Sequence, residues 1–140
     1  MTLERLRPWL LALLVIAGAG TFFRQRAAEN DAADKVREAV ASASHARVNG
    51  QDIQDPALLF ATLRLLDHVG AHHSGPVGSI RVDLLNGEKV STIVIARDSQ
   101  RPTEFWVFLP GNGAIGGASG QEAGRITSRD LDSFLRSRGL

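Results

Sequence analysis

The sequence predicts an α+β protein: an N-terminal membrane helix and a stalk helix, then a small domain in which a three-stranded antiparallel sheet is flanked by two helices. Three observations predict it. Residues 9–23 contain no charge, with Arg5 and Arg7 before them and Arg24 and Arg26 after. Residues 79–85, 90–97 and 103–109 are rich in β-branched and aromatic side chains and are separated by turn-forming residues. Helix-type apolar spacing occurs on both sides of these runs, at 57–69 and 131–135. The corresponding division is a tail at 1–8, an anchor or signal segment at 9–23, a polar stalk at 24–50 and a folded domain at 51–140. A chain of 140 residues has room for one domain of modest size.

The uncharged run covers roughly 22 Å as a helix, against a hydrocarbon layer about 30 Å thick. An anchor of this length has to thin the bilayer and let Arg7 and Arg24 snorkel. Read instead as a signal peptide, it has the small residues Ala17, Gly18 and Ala19 for cleavage near Ala19. The apolar Phe22 and Phe23 beyond that point, with arginines directly following, favour an uncleaved anchor. The short leading tail favours an N-in orientation, which puts the remaining chain outside the cytoplasm in the cell envelope, or in the periplasm after cleavage.

Residues 27–46 read as an Ala-rich polar helix with Glu29, Asp31 and Asp34 early and Arg37 late, in keeping with the helix dipole. Its narrow stripe of Ala32, Val36, Ala39, Val40 and Ala43 suits either a solvated stalk or a weak seam for another helix. Asp55 followed by Pro56 forms a helix start. The helix from 57 presents Leu59, Leu63, Leu66 and Val69 on one face and stops at Gly70.

In the meander that follows, a three-residue loop at Asn86-Gly87 sets Ile80, Val82 and Leu84 opposite Val94, Thr92 and Val90, an apolar match better than a two-residue Asn-Gly turn gives. Ile80, Val82, Leu84, Val90, Val94, Phe105, Val107 and Leu109 then share one face, and Leu85, Ile93, Ile95, Trp106 and Phe108 the other. Both faces need cover, so one helix belongs on each. Residues 125–127 suit a short extra strand. Thr127 or Ser128 caps a final helix carrying Leu131, Phe134 and Leu135, where Asp130 and Asp132 serve the helix dipole.

Composition removes several kinds of chemistry. Without cysteine there is no disulfide, thiolate metal site or cysteine nucleophile. With 16 Lys and Arg against 15 Asp and Glu, no cationic excess exists to neutralise phosphates, so nucleic acid is not an expected partner. Gly111, Gly113 and Gly116 match a dinucleotide fingerprint, but too little chain follows for a βαβ unit, and no nucleotide or other cofactor is expected. The Gly117 to Gln121 segment breaks the nucleophile-elbow pattern at its last position. Ser74 beside His73 gives only sequence adjacency.

Two sets of residues remain as candidates. His68, His72 and His73 cluster at the end of the central helix and could ligate a metal through their imidazoles, although Gly70 interrupts the helical spacing. Trp106 and Phe108, with Arg97 and Arg101 on the adjoining connection, could bind a protein partner through an apolar patch and guanidinium forks. Nothing in the sequence assembles a nucleophile, a base and an oxyanion donor. The expectation is therefore a membrane-anchored, non-enzymatic interaction module of the cell envelope, with a small metal- or ligand-binding domain as the alternative.

Overall fold

Asn49 and Gly50, both with positive φ (49° and 81°), reverse the chain between Val48 and Gln51. Asn-Gly favours this tight hairpin, whose backbone matches the twist of paired strands. The hairpin joins β1 (His45–Val48) to β2 (Gln51–Asp52), and β1 also pairs with β3 (Pro76–Asn86). A second hairpin joins β3 to β4 (Lys89–Asp98), followed by β5 (Glu104–Pro110) and β6 (Gly120–Thr127). The result is one antiparallel sheet in the order β2-β1-β3-β4-β5-β6. The structure, a computed structural model, describes residues 8–67, 74–111 and 120–138.

Among the described residues, three helices complete the architecture: α1 (Pro8–Ser42), α2 (Ala57–Leu63) and α3 (Arg129–Arg136). All three bury side chains in a single cluster with one face of the sheet. Val36 and Val40 of α1, Leu59 and Leu63 of α2, and Leu131 and Leu135 of α3 meet Val82, Ile93, Phe105 and Val107 there. Full burial of each such aliphatic side chain contributes about 1.5–3 kcal/mol. Ala32 and Ala33 let α1 approach β6 closely, and Ser128 caps α3 by accepting a hydrogen bond from Leu131 N at 3.1 Å. The opposite face holds a separate small cluster of Ala96, Trp106 and Phe108, with Val94 packed against it.

These observations correct several expectations. The sheet has six strands rather than three, and the helices lie on one face rather than one on each. Among the described residues, no helix is long and apolar enough to cross a membrane. Fifteen uncharged residues fall short of the roughly 20 a spanning helix needs, and they run without a break into the charged turns of the same 35-residue helix. The expected transmembrane or signal anchor is therefore overturned, and with it the membrane-anchored location in the cell envelope that rests on it. The stalk is also corrected. Its stripe of Ala32, Val36 and Val40 packs on the protein's own sheet, and residues 45–48 form a strand of that sheet.

The β3–β4 register differs as well. Ile80, Val82 and Leu84 face Ile95, Ile93 and Ser91, because Gly87 and Glu88 form a two-residue turn where a three-residue loop at Asn86-Gly87 is expected. Gly87 takes φ 58° at the first turn position, which glycine adopts without strain and which a two-residue hairpin uses. Relative to the expected pairing, β4 is slipped by one residue. Ile93 and Ile95 therefore turn to the helix-covered face, and Val90 and Val94 to the open one.

Candidate functional site

On the open face, register alone brings four polar or aromatic residues together: Trp106 pairs with Ala96 and Arg125, and Asp98 and Glu104 lie at the neighbouring strand ends. Asp98 is 2% exposed and accepts four hydrogen bonds: from Ser74 Oγ at 2.7 Å, Trp106 Nε1 at 2.9 Å, Gln100 N at 2.8 Å and Arg101 N at 2.9 Å. Arg125 and Glu104, each 4% exposed, form a buried pair at 3.3 Å. The Arg125 guanidinium also lies 3.4 Å from the Trp106 ring centroid, and Trp106 stacks on Phe108 with centroids 6.2 Å apart. These groups satisfy one another, as buried polar groups must. The arrangement locks the open face of the sheet and leaves its charges occupied.

Burial by itself would raise the Asp98 pKa, but the hydrogen bonds from Ser74, Gln100 N, Trp106 and Arg101 N outweigh it and lower the value to about 2 from 3.8. A carboxyl depressed in the folded state stabilises the fold above its unfolded pKa, and that contribution disappears as pH falls through the folded pKa. Roughly 2 kcal/mol of stability is therefore expected to be lost as the pH falls from about 4 to below 2. Denaturant unfolding at a series of acidic pH values measures it, and Asp98→Asn is expected to remove this part of the pH dependence.

A second site arises where the sheet edge steps. β1 pairs with β3 only from Val82 to Leu85, so residues 76–79 at the start of β3 have no strand outside them among the described residues. Asn49 closes the ladder: its N–H donates to Arg81 O at 2.8 Å, and its Oδ1 accepts from Arg81 N at 2.9 Å. Backbone groups alternate sides along a strand, so Ser79, two residues before Arg81, points its N–H and C=O the same way. Beyond Ser79 the strand is bulged by the extra residue Gly78.

Beside this step, on the helix-covered side, lies a cavity of about 180 Å³. Val77, Ile80, Ile95, Phe105 and Leu135 supply apolar walls, and among the described residues Arg97 is the one charged lining residue. Val77 is 48% exposed. Arg97 Nη1 donates to Pro102 O at 2.6 Å and to the Asp132 carboxylate, and its guanidinium stands 5.2 Å over the Phe105 ring. Asp132 also accepts from Arg136 at 2.9 Å, and the hydrogen bond from Arg97 leads the causes that lower its pKa.

The expected partner residues do not form one patch. Trp106 and Phe108 lie on the open face, 8% and 6% exposed, whereas Arg97 is on the helix-covered face. Arg101 is largely exposed and donates to Glu104 at 3.1 Å. His68, His72 and His73 lie outside the described residues, as do residues 112–119 of the glycine-rich segment. Among the described residues, no group of three His, Cys, Asp or Glu side chains could hold a metal ion. Ser44 Oγ and His45 Nδ1 are 2.9 Å apart at the surface, but no carboxylate orients that imidazole among the described residues.

Two features of the structure are not expected from the sequence. The polar connection that carries Arg97 and Arg101 ends in two carboxylates, Asp98 and Glu104, that are buried. Asp98 does carry a local signal, since Asp accepting from backbone N–H groups two and three residues ahead is a turn-forming pattern. The edge step has no local signal, because it depends on how far β1 reaches along β3. No known protein-family model matches this chain, and no curated protein or solved structure matches it.

Proposed function

We propose that the protein is a non-enzymatic interaction module that receives an extended segment of a partner protein along the edge of β3. The observation that carries this reading is the outward-facing backbone of Ser79 beside an apolar cavity. An added strand gains main-chain hydrogen bonds from such an edge, and alternate side chains enter the pocket. The cavity has the size of one side chain and is smaller than the roughly 300–1,000 Å³ typical of drug-sized ligand sites. The bulge and the Asn49 bonds limit the contact to a short strand, which suits transient pairing and discourages open-ended sheet growth.

Selection from a displayed library of random peptides tests this reading. Peptides are expected to be recovered that bind the intact protein and its Ser79→Ala variant but not Ser79→Pro. Proline removes the outward N–H while remaining compatible with an edge position, whereas alanine preserves it. Unchanged thermal melting of Ser79→Pro shows that the fold is retained. Recovery of nothing, or equal binding to all three proteins, overturns the proposal.

A further inference from the structure

We propose that the segment docking on β3 carries a carboxylate within one or two residues of a large apolar side chain. This inference rests on the docking reading above and adds the chemistry of the occupant. The apolar side chain has an evident place among Val77, Ile80, Phe105 and Leu135. The carboxylate follows from Arg97. Its Nη1 serves Pro102 and Asp132, while its Nε and Nη2 have no hydrogen-bond partner among the described residues. A guanidinium fork half used in this way matches a carboxylate geometrically as well as electrostatically.

Charge complementarity points in the same direction. Arg97 and Arg136 share the single carboxylate of Asp132, which leaves this group with one net positive charge. The remaining lining of the cavity is uncharged among the described residues. A segment bearing lysine or arginine here meets repulsion, and a purely apolar one leaves the half-used fork without an acceptor. The strand edge and the cavity are contiguous through Val77 and Ser79, so one extended chain can reach both. An Asp or Glu side chain and a free C-terminus provide the same group, and the experiment separates them.

Peptides recovered by the selection are synthesised with each Asp, Glu and C-terminal carboxylate converted singly to its amide, and their affinities are measured by titration calorimetry. One conversion is expected to weaken binding by about tenfold. Loss on conversion of a side chain identifies an acidic residue as the source, and loss on conversion of the terminus identifies a C-terminal tail. The effect is expected to vanish in Arg97→Gln and to grow in Asp132→Asn, which keeps Arg97 and removes its competing carboxylate. If Ser79→Pro abolishes binding while every conversion is silent, the carboxylate claim is overturned and the docking reading stands. If no recovered peptide depends on Ser79, both fall.

Discussion

Replacing Arg125 by methionine is expected to lower the free energy of unfolding by about 3–5 kcal/mol, because the change strands a buried carboxylate. Arg125 joins two strands: its Nη1 meets Glu104 at 3.3 Å on β5, and its guanidinium covers the Trp106 ring at 3.4 Å. Methionine can occupy much of that space over the ring, so lost packing is the smaller part of the effect. Among the described residues Glu104 then retains only the more exposed Arg101, at 3.1 Å, and it has little access to water. A domain of this size is typically stable by about 5–15 kcal/mol, so the variant approaches the unfolding threshold.

Guanidinium denaturation of Arg125→Met, Glu104→Gln and the double variant measures the effect and its cause. The double variant is expected to be more stable than Arg125→Met alone, since its second change removes the unpaired charge. Glu122, also 3.3 Å from Arg125 but half-buried, can rehydrate and should matter little. A double variant as unstable as the sum of the singles would show that packing over Trp106, not the buried charge, dominates.

The parts of this fold written in local pattern were legible in the sequence. β3, β4 and β5 stand out by β-branched and aromatic content, and α3 by its Ser128 cap and the spacing of Leu131, Phe134 and Leu135. β1 was concealed because Asn49-Gly50 closes a hairpin of only four and two residues, too short to show alternation beside a 35-residue helix. The Ala32, Val36 and Val40 stripe is real, but a stripe does not name its partner, and here the partner is β6 and its neighbours.

A single wrong turn had the largest consequence. A three-residue loop at Asn86-Gly87, in place of the two-residue Gly87-Glu88 turn, puts Ile93 and Ile95 on the wrong face, and the two half-apolar faces that result call for a helix on each side. The candidate site was less legible still. Arg97 was visible as a charged residue, but neither its half-used fork nor the edge at Ser79 exists until the lengths of β1 and β3 are compared in three dimensions.

Gly124→Ala is expected to be comparably damaging, by about 3 kcal/mol or more, through backbone strain and overpacking together. Gly124 has φ 146°, and a Cβ there would stand 2.7 Å from Asp67 O and 3.2 Å from the Leu66 side chain. That crowding follows from how the sheet edge is closed: Asp67 exchanges two backbone hydrogen bonds with Arg125, of 2.8 and 3.0 Å, on the outer side of β6. Leu66, buried beneath this bridge, cannot retreat without opening a void in the core. Relief therefore requires the Asp67 bridge to separate, which uncovers backbone donors and acceptors on β6 and favours association between copies. Gly75→Ala is the matched control, since its Cβ meets nothing within 4 Å and its φ is ordinary. It is expected to leave stability unchanged or raise it by about 0.4–1 kcal/mol through the unfolded chain. Thermal melting with light scattering on both variants tests the pair. A lowered, concentration-dependent transition in Gly124→Ala alone supports the close approach of Asp67, whereas equal behaviour of the two variants removes it.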